Sequence, residues 1–286
     1  MSFVEAELRE QPAALERLLA AEIPRVDALV KTLSPADVRY VLIAARGSSG
    51  NVSRYAQYLL GRVNRLPVAF AAPSLYTLYD SSPRLDGALV VGISQSGASP
   101  DVAAVISEAR RQGRPTLAIT NEPGSPLAEA AEWTMEIHAG EEHAVAATKT
   151  YLTSLGAVAL LSAALARDEA QLSELRSAPA WVAEQIERSF DDIAAIDAYR
   201  GVDGGSVVAR GVNYGTAFEI ALKLRELSGA SFEPFSWADL LHGPIAALGP
   251  GRPTFVVAPS GPALEDLRAS VRKLREKGTE VIAISD

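Results

Sequence analysis

An internal repeat constrains this chain more than any other feature. Ala45-Arg46-Gly47-Ser48-Ser49-Gly50 follows the apolar run Tyr40 to Ala44 and precedes a helical pattern. Ala209-Arg210-Gly211-Val212-Asn213-Tyr214-Gly215 stands in the same setting after Ser206-Val207-Val208. A second pair of segments, Gly113 to Asn121 and Gly278 to Asp286, echo one another at nearly the same separation, 165 residues against 164. Two distant matches at a near-constant offset indicate a duplicated unit. Past Asn121 the first copy continues through another strand pattern and a helix, whereas the sequence ends at Asp286, so the second copy is expected to be incomplete at its C-terminal end.

Within each copy, short apolar runs alternate with helical patterns. The first copy reads as strands at Tyr40–Ala44, Pro67–Ala71, Ala88–Ile93, Thr116–Thr120 and Met135–Ile137, and as helices at Asn51–Arg62, Pro100–Gln112 and Thr148–Arg167. The second reads as a turn at Gly201–Gly205, strands at Ser206–Ala209, Thr254–Ala258 and Glu280–Ile284, and helices at Thr216–Leu227 and Leu264–Lys277. Such alternation predicts an α/β fold built on parallel sheets. Leu15, Leu18, Leu19 and Ile23 recur at helical spacing, with Pro24 as punctuation, and Ser34-Pro35-Ala36-Asp37 reads as a turn. The expected organisation is an N-terminal helix over 1–34, a first subdomain over 35–167, linker helices over 168–200 and a second subdomain over 201–286.

Composition narrows the function. The chain has no cysteine, which excludes disulfides, zinc thiolates and a cysteine nucleophile. Its net charge of −8 argues against a bulk-electrostatic nucleic-acid groove. The N-terminus lacks the basic and apolar regions of a signal peptide, and Val145 to Leu165 is interrupted by Lys149, Thr153, Ser154 and Ser162, so it reads as a buried core helix. A cytoplasmic protein with no membrane or nucleic-acid partner is expected. An anionic ligand would need a local site of amides and hydroxyls.

Ser94-Gln95-Ser96-Gly97-Ala98-Ser99-Pro100 fits that need, although taken alone it reads equally as an ordinary strand-to-helix turn rich in Ser and Gly. It follows the strongest strand pattern, with Ser99 suited to an N-cap and Pro100 to the first helical position. Helix N-termini at the carboxyl ends of parallel strands attract anions. Ser48 and Ser49 occupy the matching strand end, but only Gly47 and Gly50 are present there, so the spacing of a dinucleotide fingerprint is missing. Glu219, Lys223 and Glu226 share one helix face, which reads either as a solvated ion-pair stripe or as a site. His242, in Leu241-His242-Gly243-Pro244, is one of three histidines and by itself reads more readily as a packed or capping residue.

Together these segments resemble the tandem sugar isomerase (SIS) domain family. The resemblance rests on Ser94-Gln95-Ser96-Gly97, on Ala221-Leu222-Lys223-Leu224-Arg225-Glu226-Leu227-Ser228, on Leu241-His242-Gly243-Pro244 and on Ala146-Ala147-Thr148-Lys149. It covers about residues 35 to 286. Within the family the chain is most similar to the isomerase domains of glucosamine-6-phosphate synthases and to amino-sugar-phosphate deaminases and isomerases. The resemblance implies two flavodoxin-like subdomains, each a parallel sheet flanked by helices, and a homodimer with its active site at the interface. Trp181 and Trp237 are candidate dimer contacts.

By resemblance, Ser94, Gln95, Ser96 and Ser99 would hold the phosphate, with Ser48 and Ser49 beside it, while Val145 and Thr148 would touch the sugar. Glu226 would move a proton between C1 and C2, Lys223 would bind near the sugar hydroxyls or orient Glu226, and His242 would assist ring opening. No cofactor and no metal are implied. The chain departs from the family pattern at Ala98, where a glutamate is common, and at Ala147, where a serine is common. It ends before a loop that carries a functional lysine in the family, and the absence of cysteine removes the glutaminase nucleophile of the synthases. The implied function is aldose–ketose isomerisation of a hexose or hexosamine 6-phosphate, with amine release or addition at C2. The alternative is a sugar-phosphate sensor without catalysis.

Overall fold

The computed structural model describes residues 2–32, 38–196 and 199–286; the turn expected at Ser34–Asp37 lies outside them. Two compact units divide the chain, Met1–Asp191 and Asp192–Asp286.

The first unit opens with helix α1 (Phe3–Thr32). It then alternates β1 (Tyr40–Ala45), α2 (Gly47–Val63), β2 (Val68–Phe70), α3 (Ser74–Thr77), β3 (Ala88–Ile93), α4 (Pro100–Arg111), β4 (Thr116–Thr120), α5 (Pro126–Ala130) and β5 (Trp133–Glu136), before α6 (Lys149–Ala166). Helix α7 (Glu169–Ile196) crosses the boundary between units. The second unit contains β6 (Gly204–Ala209), α8 (Tyr214–Ser228), β7 (Ser231–Ser236), α9 (Trp237–Leu240), β8 (Thr254–Val257), α10 (Leu264–Glu276) and β9 (Val281–Ile284).

Among the described residues every strand pairing is parallel. The first sheet runs β2-β1-β3-β4-β5 and the second β7-β6-β8-β9, so the second reproduces the first four positions of the first. The order 2-1-3-4-5 is flavodoxin-like, and its switch point, where ligands bind in open α/β sheets, falls between β1 and β3 at their carboxyl ends. All six residues of β3 are buried, as a central parallel strand covered on both faces requires.

The structure departs from the sequence-based expectation in several places; β5, for one, spans Trp133–Glu136 where Met135–Ile137 is expected. Helix α1 continues through both Pro12 and Pro24 instead of stopping at Pro24. An internal proline removes a backbone hydrogen bond, but burial of Leu15, Leu18, Leu19, Val26 and Leu29 on one face holds the helix in place. Gly156 of α6 assists that packing, because a Cβ there would lie 2.6 Å from Leu15 Cδ1. Residues 204 and 205 are strand rather than turn. A Cβ on Gly205 would come within 2.2 Å of the Pro253 carbonyl oxygen, so glycine lets adjacent backbones pair closely. Strand β7 carries no legible signal because Pro234 interrupts it and only Phe232 is buried; an edge position tolerates such a proline. Helix α2 begins at Gly47, four residues earlier than its apolar periodicity shows.

Helix α6 is long and apolar enough to cross a membrane by length and composition, yet it packs against α1 and α2 and its central residues Gly156 to Ala163 are buried. Trp237 is buried with Val208, Leu240 and Val256, so it serves the core of the second unit and is not a surface contact, whereas Trp181 is exposed.

Candidate active site

The switch point of the first unit is a cavity of about 230 Å³. One wall is the N-terminal turn of α2 with Arg46, Ser48 and Ser49, a second is the loop Ser94-Gln95-Ser96, and a third is Ala147, just before α6, with Thr150, Tyr151 and Ser154 from the start of α6. The structure therefore gathers five of the residues singled out from sequence: Ser48, Ser49, Ser94, Gln95 and Ser96. Ser99 is the N-cap of α4, as its position suggests, but its hydroxyl makes no capping bond and it does not line the cavity. Val145 and Thr148 lie outside the lining too. Val145 is 94% exposed, and Thr148 is buried with its hydroxyl donating to Glu142 Oε1 at 3.2 Å.

The serine loop is built to present hydroxyl protons. The Gly97 N–H donates to Ser94 Oγ at 3.2 Å and the Ala98 N–H donates to Ser96 Oγ at 3.3 Å. A hydroxyl that accepts from an amide keeps its own proton to donate, which suits an anion. The loop is anchored from the end of β4, where Asn121 N–H and Thr120 Oγ1 both donate to the Gln95 carbonyl, and from α5, where Leu127 N–H donates to the Gly97 carbonyl. Gly97 has a φ of +60°, and a Cβ there would stand 1.9 Å from Ser125 Oγ. Only glycine supplies both the left-handed backbone and the space.

The α6 wall is oriented by two carboxylates. Glu142 accepts from the backbone N–H groups of Thr148 and Thr150, at 3.0 and 3.1 Å, and from the Thr150 hydroxyl at 2.5 Å. It thus satisfies free donors at the N-terminus of α6, where negative charge is favoured. Glu7 of α1, only 3% exposed, accepts from the N–H groups of His143 and Ala144 at 2.5 and 3.1 Å. Lys149, 2% exposed, donates to Glu10 Oε2 and to the Glu141 carbonyl, both at 2.6 Å. Helix α1 is thereby a support of the segment that forms the third wall. The resemblance had drawn attention to Ala147, but sequence reasoning missed Thr150, Tyr151 and Ser154. Their signal was present in the spacing of Thr150, Tyr151 and Ser154 on one helix face, but that spacing is indistinguishable from an ordinary helix face until the partner loops are known.

In the second unit, Lys223 Nζ lies 2.6 Å from Glu226 Oε2 and 3.3 Å from Glu219 Oε1. Glu219 is buried, while Glu226 keeps 31% of its side chain exposed. The three residues form a charged line in which the lysine bridges two carboxylates. His242 is exposed on the turn after α9, where its N–H donates to the Asp239 carbonyl at 3.0 Å, just before Gly243 with φ +130°. A larger recess of about 600 Å³ in this unit is lined by Val202, Leu224, Phe232 and Phe255 around the amino ends of its strands. Ligands of open α/β sheets bind at the opposite, carboxyl ends, so this recess is not the candidate.

The SIS domain pattern matches residues 36–164 and 206–286, both copies of the repeat. The chain belongs to the SIS domain family. Glutamine–fructose-6-phosphate aminotransferase (isomerizing) of Thermus thermophilus is 35% identical over 98% of this chain. That match takes in 48% of the aminotransferase, so the chain spans about half the length of the curated relatives it matches. A crystal structure from Silicibacter pomeroyi DSS-3, provisionally named a phosphosugar isomerase, is 34% identical, with a TM-score of 0.93 over 99% of this chain and 86% of that one. The C-terminal domain of glucosamine-fructose-6-phosphate aminotransferase from Francisella tularensis shares the fold, at 24% identity and a TM-score of 0.90, over 100% of this chain and 84% of that one. This SIS protein therefore has two flavodoxin-like subdomains, each a parallel sheet flanked by helices.

Proposed function

We propose that this SIS protein binds a hexose or hexosamine 6-phosphate and isomerises it between aldose and ketose forms, with release or addition of an amine at C2 when the substrate is an amino sugar. The observation that carries the reading is the cavity at the β1/β3 switch point, where Ser48, Ser49, Ser94, Gln95 and Ser96 converge. The names of the similar proteins, a fructose-6-phosphate aminotransferase and a phosphosugar isomerase, support the same substrate class. The hydroxyls and helix-end amides hold the phosphate dianion without a lysine. Ser99, Val145 and Thr148 are further proposed contacts around that ligand.

The chemistry is assigned to Glu226, Lys223 and His242. His242 transfers a proton between ring oxygen and hydroxyl so that the sugar opens to its carbonyl form. The Glu226 carboxylate removes the proton from the carbon next to the carbonyl, giving an enediol or its amino counterpart, and returns it to the neighbouring carbon. Lys223, already 2.6 Å from Glu226, keeps that carboxylate oriented. Binding through the phosphate offsets in advance part of the entropy lost when the sugar is held for proton transfer.

The test is proton exchange at C1 and C2 in deuterated water, followed by NMR, together with ammonia release, using fructose 6-phosphate and glucosamine 6-phosphate. Glu226→Gln is expected to bind the sugar phosphate as the parent does and to lose turnover. Full activity in that variant would refute the role of Glu226. Tight binding by the parent without exchange would make the protein a sugar-phosphate binder instead.

A further inference from the structure

Among the residues that line the 230 Å³ cavity, Arg46 is the only lysine or arginine. Its Nη2 lies 2.5 Å from Asp101 Oδ2 in the first turn of α4, and Asp101 also accepts from Thr77 Oγ1 at 3.2 Å. The two side chains are 59% and 38% exposed. A pair this wet contributes little to folding and exchanges readily. The guanidinium has five N–H donors in a planar fork, so the contact with Asp101 leaves donors to spare.

The second copy repeats the pair. Arg210 Nε lies 2.7 Å from Asp266 Oδ2, with Asp266 again near the start of the helix that follows the third strand of its unit. Arg46 and Arg210 both have extended backbones just before a left-handed glycine, Gly47 at φ +53° and Gly211 at φ +65°. An arginine–aspartate staple across two βα loops is thus common to both units. What sets Arg46 apart is the serine-lined cavity beside it, and Arg210 is not part of that lining.

We propose that Arg46 is the cationic ligand of the anion in this cavity, and that Asp101 competes with the bound phosphate for its guanidinium. Arginine meets phosphate with paired, charge-assisted hydrogen bonds, while the surrounding serines supply neutral ones. This inference rests on the sugar-phosphate reading and names the group that neutralises the phosphate. It makes the two members of the ion pair opposite in effect. Removing Arg46 removes the attraction, whereas removing the Asp101 charge frees Arg46 and lifts a repulsion.

The test is calorimetric titration of the full chain with glucosamine 6-phosphate, inorganic phosphate and uncharged fructose. The variants are Arg46→Met, Asp101→Asn, Arg210→Met and Asp266→Asn. Arg46→Met is expected to weaken both phosphates about tenfold or more and to flatten their salt dependence. Asp101→Asn is expected to tighten both, by roughly threefold. The Arg210 and Asp266 variants should stay within about twofold of the parent for both phosphates. If Arg46→Met and Asp101→Asn weaken binding alike, the pair is only a loop staple and the proposal fails. It also fails if Arg46→Met leaves phosphate affinity unchanged. Should Arg46→Met not fold, the sign of the Asp101→Asn effect decides the matter alone. A parent protein that binds neither phosphate overturns the sugar-phosphate reading and this inference with it; a parent that binds both while the variants behave as staples overturns this inference alone.

Discussion

Replacing Gly97 by alanine tests how the serine loop is held. Two separate costs meet at this position. The backbone is left-handed, at φ +60°, which disfavours an L side chain by about 1–2 kcal/mol. The added Cβ would also fall 1.9 Å from Ser125 Oγ and 2.4 Å from Ser125 Cβ, well inside any real contact. Ser125 cannot simply move aside, because its Oγ caps α5 by accepting the Ala128 N–H at 3.4 Å. Displacing it adds an overpacking cost of about 1–3 kcal/mol. Gly97→Ala is therefore expected to destabilise the Met1–Asp191 unit by about 2–5 kcal/mol. Denaturant titration measures that loss, and calorimetry follows the accompanying loss of phosphate affinity as Ser94 and Ser96 shift. The double variant Gly97→Ala, Ser125→Gly separates the two costs: it should recover the clash but not the backbone strain, apart from about 0.3 kcal/mol for the missing cap. A single variant within about 0.5 kcal/mol of the parent, with phosphate affinity unchanged, would refute the reasoning that this loop needs glycine for shape.

Other outcomes follow from support of the third wall and from burial. Glu7→Ala leaves the His143 and Ala144 N–H groups without their carboxylate and should cost about 1–3 kcal/mol; hydrogen exchange over 139–150 should accelerate while β1 and β3 stay protected, and uniform exchange across the unit would contradict this. Burial pushes the Tyr55 hydroxyl up to about 12. A raised value means the folded chain holds this proton more tightly than the unfolded chain, so the stability linked to it is fully present below about pH 10 and is lost as pH rises through about 12. Tyr55→Phe should therefore flatten alkaline unfolding between those values, and an unchanged alkaline midpoint would show that Tyr55 does not drive it.

Much of the fold was legible because it rests on local chemistry. Ala88–Ile93 and Thr116–Thr120 read as buried strands from their composition and are strands at those same bounds. The Ser99-Pro100 start of α4 was readable from capping and proline preferences. Strand β7 was not legible, since Pro234 contradicts strand propensity and only an edge position excuses it. Helix α1 likewise hides its continuity behind Pro24, which packing on α6 overrides.

For the site, the division is sharper. The repeat, the serine loop and the charged line Glu219, Lys223 and Glu226 are properties of spacing along the chain, so the sequence alone determined them. That Ser48 and Ser49 share one cavity with Ser94, Gln95 and Ser96 follows from β1 lying beside β3, a pairing between segments far apart in sequence. The roles of Glu7 and Arg46 depended wholly on tertiary structure. A carboxylate or guanidinium in a sequence has no partner until folding brings one within hydrogen-bond reach, and for Glu7 that partner lies 136 residues away.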